Sequence, residues 1–401
     1  MFLTLALVLL GAPLDVPKPV LPAPNATPSV NKQPKVIGWP KGKLPTAPAG
    51  FTVSLYADGL ENPRWLYVLP NGDVLVIQAR GPGKEKAKSS NRITLLRGLD
   101  KDGKPELSEA FTADLNSPHG VALIGETLFI ANTEAVLKFP YKTGQTKLEG
   151  KGQPILDLPA GGYNNHWTRN LLANKDGTKL FVSVGSGSNV GEKGSAHEML
   201  RAAILEVNLD GTALRVFASG LRNPVGMDFE PKTGALWTAV NERDLLGDEL
   251  VPDYITSVKD GAFYGWPYSY FGKNEDPRRK GERPDLVAKA LAPDLAVGAH
   301  TASLGLTFYR ADQFPEKYRG GAFIGQRGSW NRSTFAGYRV AYVPFKDGMP
   351  TGEAEDFLTG FIANENDVYG RPVGVAVASD GALLVVDEPG KCIWRVVAEK
   401  K

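Results

Sequence analysis

The chain has four histidines in 401 residues, and three of them stand in one kind of setting. His119, His166 and His300 each lie just ahead of a short apolar run. Arg64, Arg222 with Asn223, and Arg371 hold the same place ahead of three further runs. An imidazole, with an ordinary pKa of about 6.5, suits a general base near neutral pH. A guanidinium offers a rigid fork of donors to carboxylates, so arginines around that base suit an anionic or carbonyl-bearing ligand. Arg222, Arg371 and Arg327 together could clamp a flat polycarboxylate. His166 sits in the richest polar cluster, Asn165-His166-Trp167-Thr168-Arg169. His119 follows Pro118 in a tight turn, and both it and His300 could equally serve only to satisfy backbone groups. His197, in "GSAHEML", is expected in a loop near a short helix, with no chemical role. Trp167, Tyr264, Trp266 and Trp330 offer flat faces to a planar cofactor or a sugar ring. The loop "NERDLLGDELVPDY" is acidic and rich in carbonyls, which suits a hard cation such as Ca2+, although it lacks EF-hand spacing.

Something must bring these residues together. Helical periodicity is almost absent, and short runs rich in Val, Leu, Phe and Ile recur between Gly, Pro, Asn and Asp. Six segments share one layout: a polar or Pro-containing lead-in, an apolar strand, a turn, and a second strong strand. They begin at Asn62, Ser117, His166, Arg222, His300 and Arg371, roughly 50–60 residues apart over the first three steps and longer over the last two, the first of which holds an insertion. Further strands lie between them, at Arg92, Ala135, Ala202 and Tyr338. The pattern predicts an all-β fold, a six-bladed β-propeller of four-stranded antiparallel blades. In an antiparallel hairpin the start of the first strand and the end of the second lie at one end. The lead-in residues of six channel-lining strands therefore form a ring at one mouth. The second-strand ends add Gln78 and Arg80, Asn132, Ser186 to Asn189, Asn241 to Asp244, Gln326 to Trp330, and Asp387 with Glu388.

The net charge of +2 gives no electrostatic reason to expect a nucleic-acid partner. Charged stretches such as "KNEDPRRKGERP" read as solvated excursions. An apolar run from Phe2 to Leu10 followed by Gly11-Ala12 is too short to span a membrane and fits a signal peptide over residues 1–12, hence a periplasmic or secreted protein. Residues 13–50 are Pro-rich and read as an extended linker, with the propeller over 51–401. The single cysteine, Cys392, excludes an internal disulfide and a thiolate metal site, and is expected as a buried apolar residue.

The set "NNHWTRNL…DGTKLFVSVGSGSN", "GLRNPVGMDFEP", "NERDLLGDELVPD", "YGWPYSYFG", "GSWNR" and "GRPVGVAV" resembles the soluble pyrroloquinoline-quinone-dependent sugar dehydrogenases, most nearly the sorbosone dehydrogenase branch. The resemblance runs from about Phe51 to the C-terminus. It implies a sugar or polyol substrate, pyrroloquinoline quinone (PQQ) and Ca2+ as cofactors, and a separate electron acceptor, a cytochrome or quinone. On it His166 is the general base for hydride transfer, with Arg222 and Asn223 beside the reactive quinone carbonyl. Arg371 binds cofactor carboxylates, Arg327 is the nearest cation to the family's cofactor lysine, and Gln78 matches a glutamine near the substrate; Trp167 and Trp330, by their flat faces, are further candidates to line it. The carbonyls of Arg243 and Asp244 would hold Ca2+. Two departures stand out. Ser186 replaces the aspartate that supports the histidine, leaving its tautomer to Asn189 or water, and Val373 replaces a second cofactor arginine. Two other readings remain: a metal-dependent lactonase-type hydrolase using Glu242, Asp244 and Asp387, and a non-catalytic binding propeller.

Overall fold

A computed structural model describes residues 18–80 and 90–399. The expected signal peptide, residues 1–12, lies outside the described residues. Six four-stranded antiparallel sheets stand around a common axis. Blade I pairs Pro63–Val68, Val74–Gln78, Arg92–Arg97 and Leu107–Thr112 in that order. Blade II starts at Val121–Ile124, blade III at Arg169–Ala173, blade IV at Pro224–Phe229 and blade V at Ser303–Phe308. Blade VI is composite: Pro372–Val377, Leu383–Asp387 and Cys392–Ala398 are joined by Phe51–Ala57 from the other end of the chain. That seam closes the ring.

The second strands "VLVIQ", "LWTAV", "AFIGQ" and "LLVVD" are buried throughout, because each blade is packed between two others. The first strands must approach one another closely around the axis. At Gly226 a Cβ would come within 2.5 Å of the Leu306 nitrogen, and at Gly305 within 2.4 Å of the Val373 oxygen. Any side chain there would push neighbouring blades apart.

The insertion after the fourth blade's third strand forms a two-stranded ribbon, Ser269–Tyr270 with Asn274–Glu275, and the one α-helix among the described residues, Pro284–Lys289. Around His197 the chain makes a run of turns rather than the expected short helix, and its Nε2 lies 2.6 Å from the Tyr163 carbonyl. Cys392 is buried in its strand, and burial pushes its thiol pKa up.

The Pro-rich segment is extended, and it is tied along its length to the mouth side of blades IV to VI. The Asn25 N–H donates to the Leu246 carbonyl, and the Lys32 N–H to the Trp330 carbonyl. Lys35–Val36 pairs in parallel with Asp367–Val368, and Trp39 Nε1 donates to Asp387. No helix among the described residues is long and apolar enough to cross a membrane.

Candidate active site

His166 lies in the loop before blade III's first strand, and the strand's first residue holds that loop. Arg169 is fully buried and donates to the carbonyls of His166 (2.8 Å), Thr168 (2.9 Å) and Pro159 (2.6 Å). The His166 ring is half-buried. Its Nδ1 is 2.8 Å from the Ser186 carbonyl and 3.0 Å from Ser186 Oγ. Ser186 Oγ gives its own proton to the Ser188 carbonyl at 2.6 Å, so it meets the ring with lone pairs. Both neighbours of Nδ1 are acceptors, which assigns the proton to Nδ1 and leaves Nε2 as the acceptor, its lone pair met only by a long contact from Asn165 Nδ2 at 3.4 Å. Burial lowers the His166 pKa to about 3. Arg222 adds to that, and the Ser186 carbonyl and Asp244 only partly oppose it.

Arg222 and Asn223 open blade IV and abut the same place. A Cβ on Gly185 would meet Asn223 Oδ1 at 2.3 Å and the His166 Cβ at 2.5 Å, so the bare glycine lets these two side chains meet. Arg222 is 1 % exposed and fully engaged. Its Nη2 pairs with Asp244 Oδ2 (2.9 Å) and Asn189 Oδ1 (2.8 Å), and its Nη1 donates to the Glu242 carbonyl at 2.6 Å. His300 sits behind Asp244 at 3.6 Å and bonds the Gly247 carbonyl through Nε2 at 2.8 Å. Burial alone would raise the Asp244 pKa, but Arg222 and then His300 hold it below the usual carboxylate range.

Across the mouth the balance changes. Glu388 accepts from Arg64 Nη1 (2.8 Å) and Arg327 Nε (2.7 Å). Burial raises its pKa, but these two arginines overrule it and hold it at about 2. Arg371 stands beside them and donates only to carbonyls, those of Arg327 (2.9 Å) and Gly328 (2.7 Å). It has no ion pair among the described residues. Burial first, and Arg327 second, bring its pKa down to about 9. Its backbone N–H is held by Asp387, which also takes Trp39 of the N-terminal segment at 2.6 Å. The Arg64 guanidinium lies 5.5 Å from the centre of the Trp167 ring, which brings this side back to His166.

Most of the expected residues therefore share one mouth: His166, Trp167, Arg222, Asn223, Arg327 and Arg371. Trp330, partly buried, is tied there through the N-terminal segment. Gln78 departs from expectation. It is 0 % exposed, its amide oxygen accepts the Glu61 N–H (2.7 Å) and its nitrogen donates to Thr94 (2.6 Å), so it braces blade I rather than facing a substrate. Val373 is buried in the channel core, and Arg64 supplies the second cation from another blade. Asn189, offered as support for His166, is committed to Arg222 and Asp244. His119 is fully buried between Trp65 and Trp167, with both ring nitrogens unpartnered, and burial drives its pKa well down. Sequence reasoning missed Arg278 and the bracing role of Arg169; the signal for Arg169 was a charged residue at the head of a strand expected to be buried.

PQQ fits this mouth. Arg64 and Arg327 share the Glu388 carboxylate and the Arg371 guanidinium pairs with none, so the blade I, V and VI side carries a surplus of positive charge. Arg64 Nε and Asn223 Oδ1 are buried without a partner, as are the ring nitrogens of His119. A calcium site on Arg243 and Asp244 does not fit. The Asp244 carbonyl already accepts from Arg278 Nη1 (2.9 Å) and Asn189 Nδ2 (3.1 Å). Among the described residues no three His, Cys, Asp or Glu side chains gather as cation ligands do.

A six-bladed propeller with a fixed imidazole facing an arginine cluster defines the class: a fold that carries its chemistry at one channel mouth. The chain belongs to the TrAA12-like family, whose model matches residues 45–255 and 278–398. An uncharacterized protein of Borreliella burgdorferi is 33 % identical over 88 % of this chain and 90 % of its own length. A pyrroloquinoline quinone-dependent pyranose dehydrogenase of Coprinopsis cinerea is 24 % identical over 84 % of this chain, which spans about half (52 %) of that enzyme. An aldose sugar dehydrogenase of Escherichia coli is 34 % identical over 26 % of this chain. In three dimensions the fold is similar to the PQQ domain of the Coprinopsis enzyme, with a TM-score of 0.73 at 20 % identity over 91 % of this chain and all of that one. It is equally similar to a Trichoderma reesei family AA12 enzyme, with a TM-score of 0.73 over 88 % of this chain and 98 % of that one.

Proposed function

We propose that this protein is a quinoprotein dehydrogenase that oxidises a sugar or a related polyhydroxy aldehyde, with PQQ as its cofactor. The observation that carries the reading is the fixed tautomer of His166 in a mouth whose opposite wall demands an anion. The names and family of its relatives point the same way. Arg371, Arg64 and Arg327 would hold the cofactor's carboxylates, and Arg222 and Asn223 would lie toward its reactive end. When bound, the cofactor supplies an electrophilic carbonyl carbon that takes a hydride from the substrate.

The protein's own part is to hold a proton acceptor and shape the charge around it. Nε2 of His166 takes the substrate hydroxyl proton, while Ser186 keeps the other ring nitrogen protonated. Because its pKa is held so low, the imidazole is neutral and ready at any ordinary pH. Arg222 offsets the negative charge that develops on the substrate oxygen as the proton leaves. Its own hydrogen bonds are made beforehand, so little reorganisation accompanies the reaction. The electrons then pass to a separate acceptor, and the protein works outside the cytoplasm.

A lactonase would need carboxylates converging on one ion. Here Glu242 is paired with Arg243, Asp244 with Arg222, and Asp387 with backbone and tryptophan N–H groups. The test is to load the purified protein with PQQ and measure dye reduction with a panel of aldoses and polyols. We expect turnover that falls about 1,000-fold in His166→Gln, with PQQ affinity little changed. An absence of PQQ binding, or lactone hydrolysis without PQQ, would sink the reading.

A further inference from the structure

We infer that Arg278 stands where a divalent cation would act, so that this chain orders its 241–249 loop and its cofactor end without calcium. The metal part of this inference stands on geometry alone; the cofactor part rests on the quinoprotein reading above.

The carbonyls of Asn241, Glu242, Asp244 and Gly247 are turned toward N–H donors. The Asp244 carbonyl accepts from Arg278 and Asn189. The Glu242 and Asn241 carbonyls accept from Arg222 Nη1, at 2.6 and 3.3 Å. The Gly247 carbonyl faces His300, and the Asp244 carboxylate is divided between Arg222 and His300. Calcium needs six to eight oxygens at about 2.3–2.6 Å. To collect them here it would have to displace two guanidiniums, and it would be repelled by both.

Arg278 is held firmly enough to take such a part. Its backbone N–H and its Nε both donate to Asp276 Oδ1 at 2.9 Å, and its Nη2 to Oδ2 at 2.8 Å. Asp276 is 0 % exposed and is gripped from below by Arg243 Nη1 at 3.2 Å. Arg243 in turn holds Glu242 and the carbonyls of Pro267 and Ser269. Only the Nη1 end of Arg278 reaches out, to the Asp244 carbonyl. A fixed single charge thus orients that carbonyl and adds positive potential beside Arg222. Unlike an ion, it cannot be lost by dilution or chelation. Arg278 is a positioning residue on this account: it acts through Asp244 and Arg222.

The test begins with the full-length apo-protein and Ca2+ alone. Equilibrium dialysis should find no saturable calcium uptake up to millimolar concentration. The thermal midpoint should be the same in calcium chloride and in EGTA, and PQQ affinity, read by fluorescence quenching, should not respond to EGTA. Arg278→Gln removes the charge and frees the carbonyl. Its PQQ affinity in EGTA should fall about tenfold, added Ca2+ should restore part of it, and Arg278→Lys should stay near wild type. Saturable calcium binding by the wild type, or a midpoint raised by calcium, overturns the inference. So does an Arg278→Gln variant with wild-type PQQ affinity and no response to calcium. If that variant does not fold, the wild-type dialysis still decides. If PQQ binds under no condition, the quinoprotein reading fails while the calcium result stands by itself.

Discussion

On the blade III–IV side of the mouth, His166, Arg222 and Asp244 are matched donor to acceptor. On the side formed by blades I, V and VI, Arg64 and Arg327 share the carboxylate of Glu388 while the Arg371 guanidinium has no ion pair among the described residues, and buried polar atoms lie unpartnered at blades I and II. The two sides differ in what they still need. On the first, Nδ1 of His166 and the guanidinium of Arg222 have their hydrogen bonds made before any ligand arrives, which is what a proton-handling group requires. The second is electrostatically unfinished and becomes balanced only when an anion enters. One side is built for chemistry and the other for grip, so substitutions on the two sides should separate rate from affinity.

After the loss of turnover expected of His166→Gln, the largest effect should come from removing grip. Arg371→Met should weaken PQQ binding at least about 100-fold, measured by fluorescence titration, with the fold unchanged by circular dichroism. A change under threefold would mean that the cation surplus does not hold the cofactor. Glu388 should separate the sides next, through acid stability. Its pKa is depressed from 4.5 to about 2, so the stability it contributes is full above the ordinary value and is lost as pH falls toward 2. That amounts to at most about 3 kcal/mol. Glu388→Gln should flatten the decline of the thermal midpoint across this window; an unchanged decline would show that other carboxylates govern it. The smallest effect belongs to Ser186, which supports the proton-handling imidazole. Ser186→Ala keeps the carbonyl acceptor and removes only the hydroxyl, so kcat should drop about tenfold with PQQ affinity unchanged. An equal loss in both quantities would blur the division between rate and grip.

The repeat, the strand pairs and the ring of imidazoles and guanidiniums were legible in the sequence because each is local. A hairpin declares itself by its own apolar runs and turn. What could not be read depends on distant partners. The strand Phe51–Ala57 pairs with Cys392–Ala398, some 340 residues away, and nothing local announces it. The charged stretch containing Asp276 and Arg278 reads as solvent-facing by composition, yet Asp276 is fully buried because Arg243 and Arg278 enclose it. Ser186 reads as the loss of a carboxylate. Its carbonyl and hydroxyl nonetheless fix the imidazole, and a side-chain comparison cannot see a main-chain acceptor. Gln78 shows the converse error, since its strand-end position is shared with working residues while its amide turns back into the blade.

The seam in blade VI makes the site hostage to the synthesis of the strand Cys392–Ala398. A growing chain can form five blades in order, but the sixth needs both its earliest strand and its last. Asp387, which seats Arg371 and receives Trp39 from the N-terminal segment, lies in the second strand of that same blade. The arginine cluster therefore takes its final form only once the two ends have met. A synthesis intermediate that already displays His166 in a finished third blade would have no means of gripping a cofactor. Ligand capture becomes a late event in maturation, and it reports that the whole ring has closed.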